Sequence, residues 1–439
     1  MSVIKFATAF TLAVSATAIV QAEDIAIVGG KVVTMGEAGT LESATVLIKD
    51  GKITSVGTNI AIPEGYRVID ASGKWVTPGF MVPLTALGLY EGPSWAGVND
   101  ANASNASIGT GLDVTWSINP TQSGFDIHRI EGVTRATTNI NRTKTLFSGQ
   151  GAVISLDDDA SVQKAKAYVS VSFGDRASSR VGGRSAAWYD INKALDEAQK
   201  YIDDNKPKPA AKTSKKSKKS KEEPAAPKKP EVSDKTVNRD ALVNVLKGDA
   251  TLVVYASLKR DLENLIQLQK KFPNMKMVIA GAEEAWMVAD QLAEAGVGVI
   301  IDTMANLPGS FENIGATQQN AARLEKAGVK VAFIPNDIGD NARLVVQSAG
   351  NAVANGMSWQ GAMAAMTTAP ASMFGVDETY GTLSAGMDAD VVVWNGDPLE
   401  VMVSPDAVLI GGSEIPMTSR QTELRDRYLN LTRSPAYVK

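Results

Sequence analysis

Eight short apolar segments, many of them separated by stretches of helical length, constrain the fold of this chain more than any other feature. The segments are residues 78–84, 132–140, 151–156, 169–173, 251–256, 275–280, 297–302 and 329–334. The clearest helical stretches are residues 260–272, 282–295, 316–327, 341–355 and 358–368. Buried strands that alternate with helices are typical of a parallel sheet covered by helices. The pattern predicts an α/β fold with a (β/α)8 TIM-type barrel. A doubly wound open sheet is the alternative, although no Gly-rich dinucleotide fingerprint follows any of the strands.

Both ends of the chain are rich in short strands and turns. Residues 25–76 contain Lys49-Asp50-Gly51-Lys52 between two β-rich runs, which is a hairpin signal. Residues 381–399 and 407–411 supply similar material at the other end. We therefore expect a small β-sandwich-like domain built from residues 23–77 and 376–439, with the barrel formed by residues 78–375.

The first 22 residues have the pattern of a secretory signal peptide. Lys5 is followed by an apolar run over residues 6–20, and Ala22 provides a small residue at the expected cleavage site. The run is short for a membrane span, and no later segment is long enough for one. We expect an exported protein in the bacterial periplasm, with no membrane span. A retained membrane anchor is the alternative.

A lysine-rich segment interrupts the barrel pattern. Residues 206–229 contain ten lysines, two glutamates and four prolines, with no large apolar residue. Ten lysines and two glutamates give this segment a charge of about +8. Because the whole chain has a net charge of -4, the remainder of the chain carries about -12. This composition predicts a disordered insert, assigned to residues 206–235. The insert is either a solvated linker or a loop that contacts anionic surfaces.

Two residue counts exclude whole classes of site. The chain has no cysteine, which excludes disulfides, thiolate metal sites and cysteine nucleophiles. It has one histidine, His128, so a site with two imidazoles cannot form within one chain. A lone histidine in this context is expected to pack or to form hydrogen bonds. Nucleophile-elbow, phosphate-loop and dinucleotide motifs are absent from the sequence.

Several motifs together resemble the amidohydrolase superfamily, and in particular its exported imidazolonepropionase-like group. They are Thr77-Pro78-Gly79 before the first barrel strand, SGQGAVI at residues 148–154, Glu284-Ala285-Trp286, and a C-terminal pattern carried by Gly381, Leu383, Gly386, Ala389 and Asp390. The resemblance implies a barrel with one or two divalent metals at its C-terminal mouth. It also implies hydrolysis of amide or other C–N bonds by a metal-bound water.

The family's metal ligands are not found at the matching positions. Members of the family have two histidines separated by one residue after "TPG"; here these positions are Leu84 and Ala86, with Thr85 between them. Residues two apart on a strand point to the same side, so this spacing lets two imidazoles hold one ion. Tyr255 stands where relatives often have a histidine. Asn336 stands at the position of the catalytic aspartate, with Asp337 one residue later.

We therefore expect a pseudoenzyme that has lost its metal site and acts as a ligand-binding or partner subunit. No cofactor is expected, and nucleic acid is not expected as a partner. The expected partners are a small-molecule ligand and a hetero- or homo-oligomer with an active relative. The expected pocket residues are Thr85, Trp95, Trp116, Tyr255 and Asn336. The alternative is a hydrolase of non-peptide C–N bonds with a carboxylate-based or shared zinc site, in which Asp337 would be catalytic.

Overall fold

The computed structural model of the protein describes residues 23–90, 99–206, 233–335 and 341–429. Its main elements are two separate β-sheets. The strands are β1 (Ile25–Val33), β2 (Thr40–Lys49), β3 (Lys52–Gly57), β4 (Arg67–Asp70), β5 (Trp75–Pro78), β6 (Phe80–Thr85), β7 (Asn102–Ala103), β8 (Val133–Thr138), β9 (Arg142–Thr143), β10 (Phe147–Ser155), β11 (Val162–Ser172), β12 (Thr251–Ala256), β13 (Lys276–Gly281), β14 (Gly298–Ile301), β15 (Val331–Phe333), β16 (Val391–Trp394), β17 (Pro405–Ile410) and β18 (Ser413–Glu414). The α-helices are α1 (Gly124–Arg129), α2 (Asp175–Val181), α3 (Arg184–Asp204), α4 (Asp234–Lys247), α5 (Lys259–Lys271), α6 (Ala289–Glu294), α7 (Asn320–Lys326), α8 (Val345–Ala354), α9 (Trp359–Met366), α10 (Thr368–Phe374) and α11 (Arg420–Leu429). Short 3-10 helices lie at Val114–Trp116, Ala285–Val288 and Ala342–Leu344.

The larger body is a nearly closed barrel sheet, which fits the predicted TIM-type barrel. Its strand order is β15-β14-β13-β12-β11-β10-β8-β6, and the end strands β15 and β6 contact each other. Alternate side chains on each strand point to opposite sides. On β12, for example, Leu252 and Val254 face the apolar layer under the helices, whereas Val253 faces the barrel interior. The interior, called the lumen below, is therefore filled by side chains.

Strand β10 departs from the predicted alternation of strands and helices because it is antiparallel to both of its neighbours, β8 and β11. The connections on either side of it are too short for a helical crossover, and a parallel pair needs a connection of about a dozen residues or more. Residues 156–161 alone join β10 to β11. The remaining barrel strands are parallel to one another.

The second sheet contains strands from both ends of the chain. Its order is β18-β17-β16-β5-β1-β2-β3, with β4 paired to β1. Its buried apolar residues come from both parts of the sequence, including Ile27 and Val76 from the first and Val391 and Leu409 from the second. That this sheet forms a β-sandwich-like domain with the expected boundaries stays a prediction.

A buried ion pair joins the barrel to the second sheet. Arg135 on β8 donates from Nε to Oδ2 of Asp390 over 2.8 Å, and from a terminal nitrogen to Asp388 over 3.0 Å. Asp390 also accepts the backbone N–H of Gly411, and the ring centroid of Tyr380 lies 5.0 Å from the Arg135 guanidinium carbon. The Ala389-Asp390 motif of the sequence therefore has a structural role in this protein.

The glycine of the Thr77-Pro78-Gly79 motif is needed for close packing. A Cβ atom at Gly79 would lie 2.2 Å from Oγ1 of Thr134 on the neighbouring strand. The carbonyl oxygen of Gly79 accepts a hydrogen bond from the hydroxyl of Tyr380 over 2.6 Å. This motif too is explained by packing between the barrel and the second sheet.

The lysine-rich insert joins two helices that pack against each other. Helices α3 and α4 are in contact, and the guanidinium carbon of Arg239 lies 3.6 Å from the ring centroid of Tyr201. Residues 207–232, and residues 1–22 of the expected signal peptide, lie outside the described residues. Within the described ranges, no helix has the length and apolar character needed to cross a membrane.

Limited trypsin digestion of the native protein is expected to cut first between residues 206 and 232. The ten lysines there are trypsin sites, and exposed flexible loops are where proteolytic nicking concentrates. The two fragments should co-elute in gel filtration, because α3, α4 and strands on both sides of the cut belong to one packed body. Mass spectrometry of the first fragments gives the cut site. First cleavage elsewhere, with the lysine-rich segment intact, would contradict the predicted disorder.

Candidate functional site

The carboxyl ends of seven barrel strands meet at one end of the barrel, called the mouth below. Strands β6, β8 and β11 to β15 run in the same direction, as their ladders show. In barrels of this type the functional residues lie at the carboxyl ends of the strands and on the loops that follow them. The site expected from the sequence would therefore lie at the mouth.

Leu84 and Ala86 belong to different apolar clusters, and only Leu84 lies within β6. Leu84 has a φ of +58°, which is unusual for a bulky side chain, and the ladder with β8 is irregular between Val82 and Thr85. Leu84 packs into the lumen near Met81. Ala86, which follows the end of β6, packs in a different apolar cluster with Leu89. The strand alternation assumed from the sequence stops before these two residues.

Thr85 is buried, and both of its side-chain hydrogen bonds involve backbone groups. Its Oγ1 donates to the carbonyl of Thr137 over 2.9 Å and accepts the N–H of Leu87 over 3.2 Å. Tyr255 is half-buried beside the lumen cluster. Trp116 ends a 3-10 helix with 90% of its surface exposed. Trp95, Asn336 and Asp337 lie outside the described residues, so their roles stay predictions.

A neutral hydrogen-bonded group fills the lumen. The Tyr168 hydroxyl donates to Oδ1 of Asn139 over 3.0 Å, and Nδ2 of Asn139 donates to Oγ of Ser170 over 3.3 Å. All three side chains are buried, and burial raises the pKa of Tyr168 well above its usual value. The ring also packs against Phe374, with 5.0 Å between centroids. These three residues are called the lumen network below.

Gly151 makes room for the lumen network. A Cβ atom at this position on β10 would lie 2.2 Å from two ring atoms of Tyr168, well inside van der Waals contact. The SGQGAVI motif of the sequence therefore contains a glycine that allows a fully buried tyrosine on the adjacent strand. Sequence reasoning missed Tyr168 and Asn139, because the two residues are brought together only by the fold.

The described mouth residues do not fit a zinc site. Leu84 and Ala86 carry no donor atom, and among the residues that the structure describes no three His, Asp or Glu side chains are placed to hold a metal ion. His128 lies on α1, is buried, and accepts the backbone N–H of Arg343 at Nδ1 over 3.1 Å. It acts as a hydrogen-bonding residue, as the sequence predicted.

Asp302 is an acidic residue near the mouth that the sequence analysis did not single out. Asp302 directly follows β14, is half-buried, and accepts the N–H of Met304 over 2.8 Å. Burial raises the pKa of Asp302, and the negative charge of Glu283 adds to this rise. The signal that could have found Asp302 was its position as the polar last residue of the predicted strand at residues 297–302.

Three other acidic residues connect segments near the mouth. Glu284 is buried and accepts the backbone N–H groups of Lys259 and Gly315, over 2.8 and 3.0 Å. Arg184 on α3 pairs with Asp261 over 3.3 Å and also with Glu312, which lies on the loop after β14. The Glu284-Ala285-Trp286 motif is thus part of a loop anchor.

Comparison with known proteins adds sequence and fold relatives. Residues 266–416 match the model of the "Amidohydrolase family". The chain is 23% identical over 394 residues to Amidohydrolase tasK of Hapsidospora irregularis, a match that covers 84% of this chain and 39% of that protein. A dihydroorotase of Anaeromyxobacter dehalogenans (strain 2CP-C) is 43% identical over 54 residues, 12% of each chain. The chain therefore spans well under half of the length of these curated relatives.

Two solved structures share the fold. An amidohydrolase from Thermotoga maritima MSB8 superposes with a TM-score of 0.76 at 21% identity, over 90% of this chain and 100% of that one. A molinate hydrolase superposes with a TM-score of 0.51 at 17% identity, over 95% and 98% of the two chains. The chain thus resembles the amidohydrolase family in sequence over residues 266–416, and it shares its fold with these solved structures.

Proposed function

We propose that this chain is an exported, imidazolonepropionase-like member of the superfamily that does not hydrolyse substrates alone and acts as a ligand-binding or partner subunit. One observation carries the proposal. The two positions that correspond to the family's paired histidines are Leu84 and Ala86, which lack donor atoms and pack in different apolar clusters. The proposed export depends on the signal-like pattern of residues 1–22.

The lumen chemistry supports the same proposal. Activation of water for hydrolysis needs a metal ion or a general base with a suitable pKa. The lumen network offers a neutral phenol, an amide and a hydroxyl, which are hydrogen-bonded to one another and, through Nδ2 of Asn139, to the carbonyl of Ile140. The barrel packs through its own side chains, so its shape does not depend on a bound ion. A shaped mouth that cannot activate water is suited to ligand binding, with Tyr255 and Asn336 as proposed pocket residues.

A second candidate function is hydrolysis of non-peptide C–N bonds by a carboxylate site. The half-buried Asp302, whose pKa is raised by burial, is the observation that favours it. A carboxylate with a raised pKa at a strand end has the character of a general base or acid. In this alternative Asp337, and a zinc ion shared with another subunit, would complete the site.

Restoration of the two histidines is expected to leave the protein inactive and free of tight zinc. In the Leu84→His/Ala86→His variant the imidazoles would start from different apolar clusters, so they would not converge on one ion. Elemental analysis of the wild type and the variant should give well under one zinc per chain. Assays with amide, lactam and dipeptide substrates should show no turnover.

A separate pair of variants tests the hydrolase alternative. Asp302→Asn removes the candidate carboxylate, and Asp290→Asn is its control, because it changes an exposed aspartate on α6. Metal-dependent hydrolysis by the wild type that is lost in Asp302→Asn or Asp337→Ala, but kept in Asp290→Asn, would overturn the pseudoenzyme proposal and establish the hydrolase.

A further inference from the structure

One loop near the mouth turns its large apolar side chains to solvent. It joins β14 to α7 over residues 302–319. Leu307 and Phe311 are 81% and 89% exposed, so their side chains stand off the body of the protein. Large apolar side chains that are exposed as a group mark a contact with another molecule. The exposed group, called the apolar patch below, consists of Met304, Leu307, Phe311 and Ile314.

Polar contacts on the inner side of the loop fix this orientation. Oγ1 of Thr303 donates to the carbonyl of Ser348 on α8 over 2.7 Å. Further along the loop, Glu312 accepts the backbone N–H of Asp175 over 2.7 Å. The loop is thus held by its polar groups while its apolar side chains face water. A surface that is already in its binding conformation loses less conformational freedom when a partner arrives.

A cleft of about 460 Å³ adjoins the apolar patch, between residues 286–291 and α7. Met287 connects the cleft to the loop, because a Cβ atom added at Gly315 would overlap the Cε methyl group of Met287. Nε1 of Trp286 also donates to the carbonyl of Gly315 over 2.8 Å. Since Gly315 directly follows Ile314, the patch and the cleft form one continuous surface.

The cleft carries two exposed cationic side chains, Arg323 and Lys326 on α7. The guanidinium carbon of Arg323 lies 4.3 Å from the ring centroid of Trp286, and a terminal nitrogen donates to Oε1 of Gln319 over 2.7 Å. Among the described residues, Asp290 is the one acidic side chain that lines the cleft. The cleft is therefore positive on a chain that carries about -12 outside its lysine-rich insert.

An apolar surface beside a cationic one matches a membrane surface that contains anionic lipids. Apolar side chains enter the boundary between headgroups and acyl chains, while Lys and Arg side chains stay with the anionic headgroups. Side chains that stand off the body would need a matching pocket on a protein partner, whereas a fluid lipid surface adapts to them. In a symmetric dimer through this surface, the same cations would face each other and repel.

We propose that the apolar patch and the adjoining cleft dock the protein on a membrane surface that contains anionic phospholipids. Leu307 and Phe311 enter the lipid, and Arg323 and Lys326 contact the headgroup phosphates. Trp286 orients the Arg323 guanidinium by stacking against it. This inference goes beyond the proposed ligand-binding role and does not depend on it.

The lysine-rich insert does not belong to the same surface. It follows α3, and Arg184, the first residue of α3, pairs with Glu312 of the loop. A helix of 21 residues is about 30 Å long, so the insert begins at the end of α3 that lies away from the apolar patch. Effects of the patch and of the insert on lipid binding can therefore be separated.

Co-flotation of the mature protein with lipid vesicles tests the proposal. The vesicles contain phosphatidylcholine alone or a mixture with phosphatidylglycerol, and the protein is expected to bind the anionic mixture more tightly. Leu307→Ser/Phe311→Ser should weaken this binding about 100-fold or more, because two large apolar side chains no longer enter the lipid. Arg323→Gln/Lys326→Gln should weaken it about 10- to 30-fold, since two cations near the anionic surface are lost.

Val401→Ser/Met402→Ser is the matched control, because it removes two exposed apolar side chains from the loop between β16 and β17. Every variant keeps the lysine-rich insert, so attraction of the insert to the vesicles is the same in all of them. Circular dichroism checks the fold of each variant, and gel filtration gives its oligomeric state.

Three results would overturn the proposal. Vesicle binding that is unchanged in Leu307→Ser/Phe311→Ser, or equally weakened in Val401→Ser/Met402→Ser, would exclude the apolar patch as the docking surface. Anionic binding that is unchanged in Arg323→Gln/Lys326→Gln would exclude the cleft. A dimer that Leu307→Ser/Phe311→Ser dissociates, with no vesicle binding by the wild type, would assign the patch to a contact between two copies of the chain.

Discussion

Replacement of Asp390 by alanine is expected to lower the free energy of unfolding by about 3–5 kcal/mol, the usual result when one partner of a buried ion pair is removed. Asp390 is 2% exposed, and without it the Arg135 guanidinium would keep only Asp388 as a charged partner. The Gly411 N–H would also lose its acceptor. Urea denaturation followed by tryptophan fluorescence measures the change.

Two further variants separate the buried pair from a general charge effect. Asp406→Ala removes an exposed carboxylate that pairs with Lys74 over 2.7 Å, and it should change stability by less than about 1 kcal/mol. The double variant Arg135→Met/Asp390→Leu should recover much of the loss, because no unpaired charge is left buried. A loss below 1 kcal/mol in Asp390→Ala would show that the pair does not hold the barrel to the second sheet.

Gly151→Ala is expected to destabilise the protein by about 1–3 kcal/mol or more, the range for added atoms in a packed core. The new methyl group would lie 2.2 Å from ring atoms of Tyr168, which is itself packed against Phe374 and bonded to Asn139. Chemical denaturation of both proteins gives the difference.

If the added methyl group acts through contact with the Tyr168 ring, the effects of Gly151→Ala and Tyr168→Ala on the free energy of unfolding should not add. Tyr168→Ala leaves a cavity and should cost about 3–5 kcal/mol, but Gly151→Ala should cost little in that background, because the ring it meets is gone. Gly309→Ala is the matched control. A Cβ atom added at Gly309 would have Nδ2 of Asn313, at 3.8 Å, as its nearest neighbour, and the backbone of Gly309 is not left-handed. Additive losses for Gly151 and Tyr168 would contradict the close contact.

The sequence predicted the barrel strands well, because each is an apolar run that can be buried on both faces. The prediction for the short strand at residues 169–173 missed residues 162–168 of β11, the first five of which are exposed or half-buried and do not form an apolar run. The antiparallel direction of β10 was also missed. Strand direction depends on the length and geometry of the connections, and apolar composition does not report it.

The site was less predictable, for reasons that particular residues show. The expectation that Leu84 and Ala86 lie side by side assumed that side chains alternate regularly along the strand. The left-handed backbone of Leu84 interrupts this alternation. The lumen network needs Tyr168 and Asn139 from strands that are not neighbours in the sheet order, so no local motif reports it. Asp390 was recognised as part of a family pattern, but its partner Arg135 lies more than 250 residues away in the sequence.

The second sheet takes strands from both ends of the chain, and this has a consequence for the order of events during synthesis. Strand β5 pairs with β16, and roughly 300 residues separate Pro78 from its ladder partner Val391. Until the last part of the chain emerges, β5 presents an unpaired edge, which is a template for association with other chains. A chaperone that covers this edge would therefore lower the chance of association until β16 has been synthesised.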